Sequence, residues 1–299
     1  GPGDRRLGIR RRAFAEVRGA VGVRQVGADG CRRGGGRGGC IRRGVSILIP
    51  PEGGWQAVTF DLWNTLLVSV PGAVEVRLAA WRRVVDERGL ELPADLLRSV
   101  LELFPARFED EWRAGRQYGT PQALDDAFRA FAGRIGSDDE AALAEAFEAA
   151  SYRLEVDAVD GGVVAVAALA RAGFRIGLVS DTSLAGGRHL RGYLESHGLL
   201  DHIGHCSFSD EVGVYKPDAA IFRDCLAGLS VDDPVGVVHV GDLRRTDVAG
   251  ARALGMTTVR FRGVVEDDAP EEGDDEGPEA DHVIDRLAEL PALLGVAGG

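Results

Sequence analysis

The sequence predicts an α/β fold: a doubly wound parallel sheet with an inserted α-helical subdomain. Three observations carry this expectation. Short apolar, β-leaning runs recur along the chain, and several stop at a polar residue. Stretches with helical spacing alternate with them, which is the order of a doubly wound sheet. Between the first two runs lies a long segment with helical spacing only, rich in Ala, Leu, Glu and Arg. With 299 residues and 45% hydrophobic content, the chain can fill one large or two modest cores.

The elements follow in order. Residues 1–45 hold 12 Arg, 13 Gly and 3 acidic residues, a charge of +9 in a chain whose net charge is −12. Residues 1–50 are therefore expected to be a disordered leader, because RRGGGRGGC has almost nothing to bury. An arginine/glycine arm for acidic partners is the functional reading of this segment; a non-globular leader is the plainer one and is preferred. Gly1-Pro2 reads as the scar of a cleaved tag.

Ala57–Phe60 is the first expected strand, followed by Arg175–Val179, Val235–Val240 and Met256–Phe261, with a short last one at His282–Ile284. Continuous apolar strands of this length imply a sheet buried on both faces. Helices are expected over 160–173, 184–197, 217–229, 244–254 and 285–294. The core thus comprises 56–70 and 156–299, and 71–155 form an inserted subdomain with helices near Val74–Arg88, Leu96–Arg113, Pro121–Ile135 and Asp138–Arg153. Such an insertion beside the first strand would roof the crevice where open α/β sheets bind ligands. Residues 266–281 carry 10 acidic side chains and no basic one, and are expected to be a solvated loop.

Composition excludes several classes. No apolar run reaches the ~18 residues needed to cross a bilayer. Cys31, Cys40, Cys206 and Cys225 form no C-x-x-C pair, which fits a reduced, cytoplasmic protein. The acidic balance argues against nucleic-acid binding by the folded part. The run from His202 through His205 to Cys206 enters a strand with no fourth ligand in view and is not read as a metal site. Arg77, Arg113, Arg116 and Tyr118 lie in the insertion; Arg is the default surface cation here, so they are read as surface residues. Oligomeric state is left open.

Chemistry concentrates where strands end. Asp61, Ser180 and Asp242 each close an apolar run, and neighbouring strand ends in a parallel sheet converge on one crevice. Lys216 is the single lysine in the chain and precedes Pro217 at a helix start. Wherever a cation serves only solubility this sequence uses Arg, so a compact ammonium at Lys216 hints at a specific task. A carboxylate can act as nucleophile on phosphorus or carbon. A hydroxyl and an ammonium can neutralise an anion. Carboxylates from different strands can hold Mg2+, and Asp247 can support Lys216 or a metal-bound water. Taken alone, a strand-terminal Asp reads as a helix cap.

The local words point further. Phe60-Asp61-Leu62-Trp63-Asn64-Thr65-Leu66-Leu67 resembles the first motif of the haloacid dehalogenase (HAD) superfamily, D-x-D-G-T-L. Leu178-Val179-Ser180-Asp181 resembles its second motif, and Val214-Tyr215-Lys216-Pro217-Asp218 its third. Gly241-Asp242 through Asp247 resembles its fourth, G-D-x-x-x-x-D. All four occur in order, and the insertion resembles the family's C1-type helical cap on a Rossmannoid core. The resemblance implies that Asp61 is the nucleophile and a Mg2+ ligand, with the Trp63 carbonyl and Asp242 as further ligands and Asp247 as a water-mediated contact. It implies that Ser180 and Lys216 bind phosphate oxygens. Thr65 would support the loop, and Asn64 and Asp181 would lie beside the substrate.

The departure is Trp63. Family phosphatases carry there the Asp that protonates the leaving group and then activates water, and indole can do neither. Haloacid dehalogenases carry a bulky aromatic and use no metal, yet Asp242 and Asp247 belong to the Mg2+-phosphatase pattern. The resemblance therefore implies a hydrolase. A Mg2+-dependent phosphatase of a small phosphorylated metabolite is preferred; a metal-free carbon–halogen hydrolase and a weakly catalytic binding module are the alternatives.

Overall fold

A computed structural model describes residues 47–266 and 277–296. Most of the expected leader and residues 267–276 of the acidic stretch lie outside the described residues. The described residues belong to one compact unit, Ser46–Gly299.

Six strands form one parallel sheet: β1 (Ala57–Phe60), β4 (Arg175–Ser180), β5 (His205–Phe208), β6 (Val237–Gly241), β7 (Thr257–Phe261) and β8 (His282–Ile284), in the order β5-β4-β1-β6-β7-β8. Helices α5 (Gly162–Arg171), α6 (Gly187–Ser196) and α10 (Leu290–Leu293) cover one face, where Val58, Phe60, Leu178 and Val240 meet Val166, Leu190 and Leu290. After a single helical turn, α7 (Ser209–Val212), helices α8 (Ala219–Gly228) and α9 (Ala249–Ala253) cover the other face, where Ala57, Val179 and Val237 meet Phe222, Cys225 and Ala251. Burial on both faces explains why β1 and β6 are continuously apolar or buried rather than alternating.

Two local differences from the expectation have physical causes. The expected helix 244–254 divides into a wide π turn, Arg244–Val248, followed by α9; the wide turn swings Asp247 back toward the strand ends. The segment between β1 and β4 holds two strands that the sequence does not announce, β2 (Leu67–Ser69) and β3 (Val156–Ala158), paired antiparallel. Three residues are too few for periodicity to register. The chain leaves and re-enters the core through this ribbon.

Between β2 and β3 lie α1 (Ala73–Arg88), α2 (Ala94–Arg113), α3 (Thr120–Ala130) and α4 (Ser137–Ser151). They enclose their own cluster, in which Trp81 packs edge-on against Phe104 and Phe131 and its indole donates to the Leu143 carbonyl at 3.0 Å. Leu184, from the loop after β4, belongs to that cluster, so the insertion is packed onto the loop that follows Ser180. Among the described residues no helix is long and apolar enough to cross a membrane.

Candidate active site

β1 occupies the centre of the sheet, and its C-terminal end delivers Asp61, whose amide donates to the Val240 carbonyl on β6 at 2.8 Å. β6 ends at Gly241, and Asp242 follows beside Asp61. The loop before α8 carries Lys216, and the π turn carries Asp247. All four side chains are buried: Asp61 is 5% exposed, Asp242 3%, Asp247 1% and Lys216 6%. Lys216 Nζ donates to Asp61 Oδ1 at 2.5 Å and to Asp247 Oδ1 at 2.6 Å. Asp247 Oδ2 accepts the Leu243 amide at 3.1 Å. Gly241 is required by this packing, because a Cβ there would lie 2.3 Å from Asp247 Cγ.

The electrostatics follow from one ammonium among three carboxylates. Burial raises the Asp61 carboxyl to about 7 against the pull of Lys216, with Asp247 adding to the rise. Burial raises Asp242 well above the usual carboxylate range, helped by Asp61 and Asp247. Burial alone would raise Asp247 too, but the Lys216 ammonium and the His239 ring outweigh it and hold Asp247 below the ordinary range. Lys216 is held above its usual range, because Asp247 and Asp61 outweigh its desolvation. One oxygen from each of Asp61, Asp242 and Asp247 lies within 4.8 Å of the others. Uncompensated buried carboxylates are costly. A hard divalent cation with oxygen ligands fits this donor set and would cancel its surplus charge.

Each other expected site residue has a definite place. Ser180 ends β4, fully buried, with its hydroxyl donating to the Asp181 carbonyl at 3.0 Å. Asn64 adopts φ 59°, the left-handed conformation that Asn tolerates where the family pattern has Gly. Its amide lies 3.5 Å from Asp242 Oδ2. Thr65 is buried and its hydroxyl has no hydrogen-bond partner among the described residues. Trp63 is half-buried, packed against the main core and edge-on to Tyr193 with ring centroids 6.5 Å apart. Asp181 is placed next to Lys216: Oδ1 accepts the Lys216 amide at 2.9 Å and Oδ2 accepts the Trp112 indole N–H at 2.8 Å.

Trp112, near the end of α2, thus joins the insertion to the lysine loop. Phe108 stacks on it and the Arg245 guanidinium of the π turn lies 3.8 Å above its ring. The Tyr118 amide donates to the Tyr215 hydroxyl at 3.1 Å, and Thr120 Oγ1 to the Leu184 carbonyl at 2.8 Å. Arg113 and Arg116 pair with Glu109 and Glu111 on the insertion's surface. Arg77 departs from the surface reading. It is 6% exposed, its guanidinium lies 4.6 Å from the Phe147 ring centroid, and it donates to Ser151 Oγ and the Leu184 carbonyl at 3.4 Å. Tyr118 is buried as well. His205 binds Asp224 at 3.1 Å, and Asp61, Asp242 and Asp247 are the candidate metal group among the described residues.

Sequence reasoning passed over Trp112, Thr59 and His239. Trp112 carries no local signal, since its role depends on how the insertion folds back. His239 does carry one: an imidazole inside the apolar run Val237-Val238-His239-Val240 must find partners once buried.

Known proteins share both the sequence pattern and the fold. The haloacid dehalogenase-like hydrolase family matches residues 55–255. The chain is 31% identical over 242 residues to a glyceraldehyde 3-phosphate phosphatase of Methanopyrus kandleri, spanning 79% of this chain and 95% of that protein. It is 28% identical over 249 residues to (S)-2-haloacid dehalogenase 1 of a Pseudomonas species, spanning 80% of this chain and 96% of that one. Among solved structures, a 2-haloacid dehalogenase of Pseudomonas syringae superimposes with TM-score 0.58 at 25% identity, covering 81% of this chain and 98% of the other.

Proposed function

The chain belongs to the haloacid dehalogenase-like hydrolases, and on that premise we propose that it is a Mg2+-dependent phosphatase of a small phosphorylated metabolite, acting through an aspartyl-phosphate. One observation carries the reading: three buried carboxylates surround a single ammonium. An ester-forming route on carbon uses a carboxylate nucleophile and a base that activates water, and leaves a third buried carboxylate without a task. A phosphatase uses them to hold a cation. Asp61, Asp242 and the Trp63 carbonyl would hold Mg2+, with Asp247 behind them. When bound, the cation neutralises charge on the phosphoryl oxygens.

The residues of the chain supply the rest. Asp61 attacks phosphorus, the bond to the leaving oxygen breaks and that oxygen departs with the electrons and takes a proton from water; a second water then attacks phosphorus, releasing phosphate and restoring the Asp61 carboxylate. Lys216 holds a phosphoryl oxygen and keeps Asp61 oriented. Ser180 turns its hydroxyl from the Asp181 carbonyl to a second oxygen. The insertion acts as the cap: Trp112, Tyr118 and Thr120 seat it over the loops that carry Ser180 and Lys216 and exclude water. The protein is read as cytoplasmic, acting on a free small molecule.

Trp63 favours a second reading, carbon–halogen hydrolysis through an Asp61 ester without metal. Phosphate release from small esters, glyceraldehyde 3-phosphate among them, separates the two when measured with Mg2+, with EDTA and with Asp61→Asn. Release that needs Mg2+ and vanishes in the variant supports the phosphatase. An Asp61→Asn protein within about threefold of wild type would end the nucleophile assignment. Chloride release from 2-haloacids in EDTA would transfer the assignment to the second reading. Vanadate binding with neither activity would make the chain a binding module.

A further inference from the structure

His239 stands directly behind the active site. It and Thr59 are cross-strand partners on β6 and β1, both buried, and their side chains share one face of the sheet. Thr59 Oγ1 lies 2.9 Å from His239 Nδ1, and His239 Nε2 lies 3.3 Å from Asp247 Oδ1. That oxygen also accepts from Lys216 Nζ at 2.6 Å, and the same ammonium reaches Asp61 Oδ1 at 2.5 Å. Phe222 packs edge-on against the imidazole at 5.1 Å and fixes its plane.

The chemistry of these groups settles their protons. An ionised carboxylate only accepts, so His239 Nε2 must carry the hydrogen. With Nε2–H committed to Asp247, Nδ1 of the imidazole is placed to accept from the Thr59 hydroxyl. This arrangement gives Thr59, the His239 ring and Asp247 each a hydrogen-bond partner. A buried ring with two satisfied nitrogens on a rigid strand is a fixed strut, and its N–H determines where Asp247 Oδ1 sits. The position of that oxygen in turn determines where the ammonium meets the nucleophile.

We propose that His239 is a positioning residue for the Asp61–Lys216 pair, acting through Asp247, with the Thr59 hydroxyl holding its tautomer. The claim that this serves catalysis rests on the phosphatase reading; the claim about the strut itself does not. Two measurements on the full chain keep them apart. Nitrogen NMR of the imidazoles, assigned with His239→Gln, should show a neutral Nε2–H ring for His239, and Thr59→Val should perturb that signal. A ring protonated on Nδ1, or signals indifferent to Thr59→Val, would overturn the strut whether or not any ester is hydrolysed.

With para-nitrophenyl phosphate as probe, His239→Leu should lower kcat about tenfold to a hundredfold, the range spanned by a hydrogen bond to a charged group. KM should rise by less than kcat falls, because the one substrate contact affected is that of the Lys216 ammonium with a phosphoryl oxygen. His239→Gln, whose side-chain N–H can still reach Asp247, should recover most of the loss. A folded His239→Leu protein with wild-type kcat would overturn the positioning role. So would a change confined to KM.

Discussion

Replacing Lys216 with Met tests how the buried charges are balanced. The substitution keeps length and apolar bulk and removes the one ammonium that faces Asp61 at 2.5 Å and Asp247 at 2.6 Å. Removing one partner of a buried ion pair costs about 3–5 kcal/mol, because the partner charge stays buried without compensation. For a chain of this size each kcal/mol shifts Tm by about 2–4 °C, so the expected fall is roughly 6–20 °C. The loss has a pH signature. Asp61 already titrates near 7 in the folded protein, and loss of Lys216 raises it further. The folded state then binds more protons than the unfolded one, so stability falls as pH rises, and the deficit is larger near pH ~8 than near pH ~6. Mg2+ should restore part of the loss, since a ligand that binds only the folded state stabilises it by mass action. Thermal melts of wild type and Lys216→Met, with Mg2+ and with EDTA, read all three effects. A fall of less than about 2 °C near pH ~8 in EDTA would refute the balance described here.

Two further substitutions follow from the same geometry. Trp112→Phe keeps a ring between Phe108 and Arg245 but removes the N–H from Asp181. It should lower kcat/KM about tenfold or more, as expected for a hydrogen bond to a carboxylate, and unchanged kcat/KM would show that the insertion needs no such link. Trp63→Asp should raise phosphate release from alkyl phosphates, by up to about a hundredfold where leaving-group protonation limits the rate. A loss instead would assign Trp63 its own role against the substrate.

The sheet and its strand-end chemistry were legible because buried parallel strands are written as unbroken apolar runs with a polar stop. Asp61, Ser180 and Asp242 stand at such stops, and Lys216 was marked by being the single lysine. What was hidden depends on contacts distant in sequence. The ribbon of β2 and β3 is too short to have a period. The π turn shares its residue types with an ordinary helix, and only the fit of Asp247 against Gly241 distinguishes it. Arg77 reads like every other Arg in this chain until α1 packs against Leu184. Asp181, expected beside the substrate, has both carboxylate oxygens bonded, to the Lys216 amide and to Trp112, and no local pattern announces a partner from the insertion.

In the proposed reaction Asp61 carries the phosphoryl group during turnover. Trp63 cannot activate water against the aspartyl-phosphate, so this intermediate should accumulate. The direct measurement is a rapid acid quench of enzyme, Mg2+ and para-nitrophenyl phosphate within the first turnover, followed by peptide mass spectrometry. A burst of phenolate ahead of phosphate release is expected, with a phosphoryl group on the peptide containing Asp61 that is absent from Asp61→Asn. Phosphate release with no burst and no phosphoryl-Asp61 at any time would contradict it.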